Sequence, residues 1–183
     1  MFNDTHGFPA ALIMALSMSA ASIYALEGGR PSEVLRQLDD ALRDELETTE
    51  MYLSLFYGII DPSRGTLTYA NAGHPHAFTI HQDGLAERLE ATDPPVGIAG
   101  PEAYGEKTVA WKTGQDLLLL FTDGLSDTLA TEVRGSGEAA VLEVMASGRE
   151  KKAYDLVDDL FALAEKANPT VPADDITALV LRV

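Results

Sequence analysis

Short apolar runs alternate with turn signals between residues 51 and 121, and this alternation limits how the chain can fold. Residues 51–60 are rich in aromatic and branched side chains, and residues 61–65 combine Asp, Pro, Ser and Gly, which favour tight turns. Residues 66–70 then return as the second strand of a hairpin. Because tight turns join antiparallel strands and parallel strands need long crossovers, the pattern predicts antiparallel sheets.

Helical patterns flank these strands on both sides. Pro9 and Gly28 delimit a first helix, and Pro31 opens a second in which leucine recurs at helical spacing. Two more helices are predicted at residues 137–145 and 151–166, and further strands at residues 77–81, 107–111, 116–121 and 176–183. This order predicts a single α+β domain over residues 1–183, with helices covering a sheet.

The amino-acid composition disfavours or excludes several classes of function. The net charge of −16, from 13 basic and 29 acidic residues, disfavours binding to nucleic acid or to an anionic membrane. The chain has no cysteine, which excludes a disulfide framework, a thiolate metal site and a cysteine nucleophile, and which fits a cytoplasmic protein. Residues 8–26 carry no charge, but they are rich in Ala and Ser and no basic residue precedes Arg30. We therefore predict a buried core helix there and no membrane insertion.

Two acidic motifs could carry chemistry. The apolar residues 117–121 lead directly into Thr122, Asp123 and Gly124, so a rigid strand would hold the Asp123 carboxylate at a sheet edge, as a metal ligand requires. The alternative is that Asp123 caps a following helix. Asp174 and Asp175 enter the last strand side by side, and adjacent acids repel unless a cation compensates them. An Asx-turn is the alternative explanation for this pair.

Two further motifs are weaker. His74 follows Asn71 and Gly73 at the end of the hairpin, where a histidine could be a ligand or an acid, although a loop residue chosen for its hydrogen bonds is the more common case. His6 and Gly7 precede the first helix, whose N-terminus could bind an anion such as phosphate.

Taken in order along the chain, the motifs resemble the stage II sporulation protein E group, the sporulation branch of the PPM (type 2C) serine/threonine phosphatases. The matching segments are His6-Gly7-x-Pro9-Ala10-Ala11, Leu55-Phe56-Tyr57-Gly58, Tyr69-Ala70-Asn71-Ala72-Gly73-His74-Pro75, Pro94-Pro95-Val96-Gly97, Thr122-Asp123-Gly124 and Asp174-Asp175-Ile176-Thr177. Each motif is short, but the resemblance extends over nearly the whole chain.

The resemblance implies an αββα sandwich with two Mn²⁺ or Mg²⁺ ions between its sheets. It implies that a metal-bound water, and no protein side chain, attacks a phosphoserine or phosphothreonine, and that Asp123 and Asp174 are metal ligands. The supporting residues that it implies are Gly124, Asp175, Thr177, His6, Gly7, Asn71, Gly73 and His74. The expected partner is a regulatory phosphoprotein, in this branch an anti-anti-sigma protein of a partner-switching pathway, and a homodimer is left open.

The first motif departs from the family pattern. Aligning His6 and Gly7 places Phe2 where the family has the aspartate that bridges both metals, with Asp4 as a second-best ligand nearby. The strands expected ahead of this motif are missing, so we expect an N-terminally incomplete domain that binds metal poorly. A catalytically impaired relative that still binds its partner is the alternative. A haloacid dehalogenase-like phosphatase is disfavoured, because it needs a second acid where this chain has Leu125.

Overall fold

The computed structural model describes residues 7–26, 28–98, 100, 104–168 and 174–183, and the side chains of residues 7–9 are not among those described. Within this part the chain forms five helices and seven strands. In chain order they are α1 (Gly7–Leu26), α2 (Pro31–Thr49), β1 (Leu55–Asp61), β2 (Thr66–Ala72), β3 (His76–Ile80), β4 (Ala86–Arg88), β5 (Lys107–Ala110), β6 (Leu117–Phe121), α3 (Asp123–Leu129), α4 (Ser136–Gly148), α5 (Ala153–Ala167) and β7 (Ala178–Arg182).

Backbone contacts divide the chain into two compact units. The first comprises the described parts of residues 1–61, 66–74 and 91–110, and the second those of residues 62–65, 75–90 and 111–183. The first unit contains α1, α2 and a three-stranded sheet in the order β1-β2-β5, and the second contains α3, α4, α5 and a four-stranded sheet in the order β4-β3-β6-β7. Every strand pair is antiparallel, as the turn signals predicted.

In the first unit, α2 is the helix that leucine spacing predicted. Its leucines fall on one face and are buried in a cluster with Ile13 of α1 and with Ala70 and Ala72 of β2. Asp39 lies on the same helix and is also fully buried. Its carboxylate accepts hydrogen bonds from the backbone N–H of Gly97 (2.9 Å) and from the Tyr104 hydroxyl (3.2 Å), and it pairs with Arg43. Hydrogen bonds to this carboxylate therefore connect the loop between β4 and β5 to α2.

The prediction that residues 8–26 form a buried core helix is wrong for most of the side chains. From residue 10 onward α1 buries only Ile13 and Ser17, while six large apolar side chains are exposed. The exposed residues are Leu12, Met14, Leu16, Met18, Ile23 and Leu26. The helix has no charged residue to mark a solvent-facing side, so its sequence could not show how narrow the buried stripe is. None of the described helices combines the length and the hydropathy needed to cross a membrane.

The second unit has its own apolar core between the sheet and the helices. One face of β6 and β3 packs against Leu125 and Leu129 of α3 and against side chains of α4 and α5. Helices α3 and α4 approach closely at Gly137, where an added Cβ would lie only 1.8 Å from the carbonyl oxygen of Ser126. Glycine at this position thus permits the contact between the two helices.

Some elements differ from the predictions. Strand β1 begins at Leu55 rather than at residue 51, because Leu53 instead forms an isolated bridge with Val96. Strand β4 was not predicted, since its three residues, Ala-Glu-Arg, have no apolar alternation. The predicted single domain over residues 1–183 stays a prediction.

Candidate metal centre

Asp123 stands where a buried strand meets a helix. The apolar strand β6 ends at Phe121, and Thr122 is the extended N-cap residue of α3, so Asp123 is the first residue of the helix and not its cap. The Thr122 side chain makes no capping hydrogen bond to the helix. The side chain of Asp123 is 63% exposed, which leaves its carboxylate open to a ligand.

The Asp174–Thr177 segment lies directly against the start of α3. The Thr122 hydroxyl donates to the carbonyl oxygen of Asp175 (3.0 Å) and accepts from the backbone N–H of Thr177 (3.0 Å). The backbone N–H of Thr122 donates to the Thr177 carbonyl at 3.1 Å. Three hydrogen bonds therefore join the residue before Asp123 to the segment that begins with Asp174.

Gly124 makes this contact sterically possible. A Cβ at Gly124 would lie 2.4 Å from the carbonyl oxygen of Asp175 and 3.3 Å from the carbonyl carbon of Asp174, closer than side-chain atoms normally come. The approach is between backbones, which cannot move aside as a flexible side chain would. The segments that carry Asp123 and Asp174 thus meet at one edge of the four-stranded sheet.

Asp174 also makes a local hydrogen bond. Its Oδ1 accepts from the backbone N–H of Asp175 at 2.8 Å, and both residues are exposed. Asp174 therefore makes a local turn through Oδ1, and its carboxylate is nevertheless exposed to solvent. The second oxygen of Asp174 is a hard donor of the kind that Mg²⁺ and Mn²⁺ prefer, as are both oxygens of Asp123.

His76 is a contact of Asp123 that sequence reasoning missed. Its Nε2 lies 2.9 Å from Asp123 Oδ1, and its Nδ1 lies 2.8 Å from Glu138 Oε2. Glu138 in turn pairs with Arg88. The only sequence signal was a second histidine two residues after His74, in a segment that has the composition of a loop.

Asn71, Gly73 and His74 form a separate local structure in the first unit. The buried Asn71 side chain accepts from the backbone N–H of His74 (2.8 Å) and donates to the His74 carbonyl (3.0 Å). Gly73 has a φ of +74°, and a Cβ there would lie 2.6 Å from Pro95. These contacts give Asn71 and Gly73 a structural task in the turn, and the supporting role implied for the three residues stays a prediction.

The N-terminal motif falls mostly outside the described residues. Gly7 is the first residue of α1, while Phe2, Asp4 and His6 lie outside the described part of the chain. Among the residues that are described, no group of three or more His, Asp or Glu side chains is arranged so that it could hold a metal ion. Asp123 and Asp174 offer carboxylate oxygens, which divalent cations prefer, from two segments that meet at one sheet edge, and their role as metal ligands stays a prediction.

The position two residues after Asp123 argues against aspartyl-phosphate chemistry. Leu125 is fully buried in the apolar core of the second unit. An acid at that position would have to be buried without a partner, at a large energetic cost.

The chain is similar in sequence to a curated bacterial phosphatase. It is 28% identical to the phosphoserine phosphatase RsbU of Bacillus subtilis over 180 residues, which is 96% of this chain and 52% of RsbU. The chain thus spans about half the length of this curated relative.

Two solved structures share the fold. The RsbU and RsbW domains of Rv1364c from Mycobacterium tuberculosis match with a TM-score of 0.81 and 24% identity, over 97% of this chain and 48% of that one. The catalytic domain of the serine threonine protein phosphatase PstP, in complex with two manganese ions, matches with a TM-score of 0.67 and 16% identity, over 98% and 83%. These likenesses confirm the predicted α+β fold of the type 2C phosphatases.

The family itself is identified by its sequence profile. The profile described as stage II sporulation protein E matches residues 5–183, which is nearly the whole chain. The match includes the Thr122-Asp123-Gly124 and Asp174-Asp175 motifs on which the resemblance was first drawn. This chain belongs to the stage II sporulation protein E (SpoIIE) family.

Proposed function

We propose that this chain is a metal-dependent protein serine/threonine phosphatase. The observation that supports the proposal most is the contact of Gly124 with the backbone of Asp174 and Asp175, because it brings two candidate carboxylates to one sheet edge. Asp123 starts a helix directly after β6, and Asp174 lies in the segment that leads into β7, which pairs with β6. This segment is hydrogen-bonded to Thr122 through Asp175 and Thr177. A binding site held by rigid elements keeps its geometry better than one built on loops alone.

In this proposal Asp123 and Asp174 hold Mn²⁺ or Mg²⁺, and Asp4 is at most a second-best ligand that contributes weakly. The bound cations would supply an activated water and would neutralise charge on the phosphoryl group. Hydrogen bonds between Thr122 and Thr177 connect the two segments that carry Asp123 and Asp174, and the missing side chain of Gly124 allows those segments to approach. The two manganese ions of PstP support the choice of metal by fold analogy.

The proposed substrate is a phosphoserine or phosphothreonine on a regulatory protein in the cytoplasm. The name of RsbU, a phosphoserine phosphatase, supports the chemistry. The proposed partner, an anti-anti-sigma protein of a partner-switching pathway, rests on the motif resemblance to the family alone. The net charge of −16 agrees with a protein partner rather than with nucleic acid.

A catalytically impaired relative that binds its phosphoprotein without hydrolysing it is the second candidate. The residue that favours it is Phe2, which cannot coordinate a metal and which the alignment of His6 and Gly7 puts in the place of the family's bridging aspartate. The two candidates differ in turnover and not in binding.

The experiment is a phosphoserine-peptide assay with Mn²⁺, with Mg²⁺ and with a chelator. We expect weak, chelator-sensitive hydrolysis that is lost in Asp123→Asn and in Asp174→Asn. Asp127→Asn is the matched control, because it removes the same charge from an exposed position on the same helix. Hydrolysis that survives both the chelator and Asp123→Asn would remove the metal-dependent mechanism.

A gain-of-function variant separates the two candidates. If Phe2 stands at the bridging position, Phe2→Asp raises Mn²⁺-dependent hydrolysis, whereas Asp4→Ala changes it much less. Binding of the phosphopeptide without hydrolysis, in both the wild-type chain and Phe2→Asp, would favour the impaired relative.

A further inference from the structure

We propose that His76 is a positioning residue for Asp123, which it orients for metal binding through a fixed hydrogen bond. The inference rests on the proposed function, since it assigns a task to a contact of the proposed ligand. His76 Nε2 lies 2.9 Å from Asp123 Oδ1, and the Asp123 side chain is otherwise 63% exposed. An exposed carboxylate with two free torsions must be ordered when it binds a cation, and a hydrogen bond that orders it beforehand lowers that cost.

The imidazole ring of His76 is itself held in place. His76 is the first residue of β3 and pairs in register with Phe121, the last residue of β6. Its ring stacks on the Phe121 ring, with centroids 4.4 Å apart and planes within 9°. The His76 side chain is only 13% exposed. Because β6 runs directly into Asp123, one sheet register fixes both the donor and the acceptor.

Neighbouring contacts show which atom donates. The Ser126 hydroxyl donates its proton to the backbone carbonyl of Asp123 at 2.9 Å, and its oxygen lies 3.3 Å from His76 Nε2. A hydroxyl whose only proton is engaged can still accept, and the carboxylate of Asp123 also accepts. Nε2 of His76 therefore carries a proton and donates it toward Asp123.

The opposite edge of the ring is anchored by a charged pair. His76 Nδ1 lies 2.8 Å from Glu138 Oε2, and the other oxygen of Glu138 accepts from Arg88. Arg88 also donates to the Pro75 carbonyl and lies over the Phe78 ring, 4.5 Å from its centroid. We call His76, Glu138 and Arg88 the His76 clamp. The clamp joins β3, β4 and α4, so the orientation of the ring depends on the packing of the whole second unit.

A purely structural role for the ring makes a different prediction. If His76 only fills space over Phe121, then a phenylalanine at position 76 serves equally well. If His76 positions Asp123, the donor atom matters more than the aromatic ring that carries it. His76→Phe keeps the stacking and removes both nitrogens, while His76→Gln loses the ring and keeps an N–H donor that can reach Asp123.

The experiment measures Mn²⁺ binding to the full 183-residue chain. Electron paramagnetic resonance of free Mn²⁺ gives the dissociation constant, and thermal unfolding reports the integrity of each variant. We expect His76→Phe to weaken Mn²⁺ binding by roughly 10-fold or more, as loss of hydrogen bonds to metal ligands does elsewhere. His76→Gln should recover most of that affinity.

His81→Phe is the matched control. His81 directly follows the last residue of β3 and also contacts two carboxylates, those of Asp116 (3.3 Å) and Glu87 (3.2 Å). No contact to Asp123 is recorded for it among the described residues, so Mn²⁺ affinity should not change. Equal losses in His76→Phe and His81→Phe would mean that general destabilisation is responsible, and would overturn the inference.

The possible failures are distinguishable. Wild-type Mn²⁺ affinity in a folded His76→Phe, together with loss of binding in Asp123→Asn, overturns the role of His76 and leaves the proposed metal site intact. Unchanged binding in Asp123→Asn removes the metal site itself. Should His76→Phe unfold, Glu138→Ala decides instead, because it frees the ring from the opposite edge. Unchanged Mn²⁺ affinity in Glu138→Ala would then count against the clamp.

Discussion

Replacing Gly124 with alanine tests whether the contact of two backbones holds the candidate site together. The new Cβ would lie 2.4 Å from the carbonyl oxygen of Asp175 and 2.9 Å from its carbonyl carbon, whereas ordinary contact begins at 3.4 Å. The start of α3 and the Asp174–Asp175 backbone must therefore separate by about 1 Å, because neither side of the contact is a flexible side chain.

The stability effect follows from two opposing terms. Overpacking against an unyielding backbone costs about 3 kcal/mol, at the upper end of its usual range. Alanine in place of glycine favours the helix by at most about 1 kcal/mol. The net loss of about 2 kcal/mol lowers the melting temperature by roughly 4–8 °C for a chain of this size. Mn²⁺ affinity should fall as well, since the two carboxylates move apart.

Differential scanning calorimetry and a Mn²⁺ titration measure the two effects of Gly124→Ala. Gly105→Ala is the control, because a Cβ there meets only the Asp93 carboxylate at 3.9 Å, which is ordinary contact. We expect the control to keep both the melting temperature and the affinity. A Gly124→Ala variant that behaves like the control in both measurements would refute the view that backbone proximity builds the site.

Three further predictions concern packing and charge. Asp39→Ala should lower the free energy of unfolding by about 3 kcal/mol, because it removes a fully buried carboxylate and strands its partners; a loss below about 1 kcal/mol in urea unfolding would contradict this. Burial, with the nearby Asp39 carboxylate, raises the pKa of Tyr104, so the neutral phenol stabilises the fold at lower pH and that stability is lost above about pH 10. Tyr104→Phe should remove this loss. If the free energy of unfolding falls equally with rising pH in the wild type and in Tyr104→Phe, Tyr104 is not its cause. Gly137→Ala should lower the melting temperature more than Gly124→Ala does, since its Cβ would lie 1.8 Å from the Ser126 carbonyl; calorimetry showing the reverse order would contradict that ranking.

Two kinds of sequence pattern predicted elements correctly: leucine periodicity on one helix face, and an apolar run that follows a turn. Helix α2 was predictable because its leucines share one face, and β6 because its residues are all apolar and a turn precedes them. Helix α1 has no charged residue, so the sequence could not show that its packing reaches only a narrow stripe. Strand β4 is defined by its pairing with β3, and the sequence Ala-Glu-Arg carries no strand pattern that could have revealed it.

The candidate site likewise contains residues that the sequence could reveal and one that it could not. Asp123 and Asp174 could be selected from the sequence because each adjoins an apolar strand, although spacing could not show that Thr122 rather than Asp123 is the N-cap. His76 could not be selected, because its task depends on partners far along the chain. Glu138 is 62 positions away, and the contact exists only through the β3–β6 register and the packing of α4.

The hydrogen bond between Thr122 and Asp175 joins residues 53 positions apart, and the described residues between them lie mainly in α3, α4 and α5. Helical turns form locally and fast, whereas a contact of such separation first requires the ends of a long loop to meet. A refolding molecule therefore regains its helices before its two carboxylates come together, and the delay between these events measures the closure of a single loop.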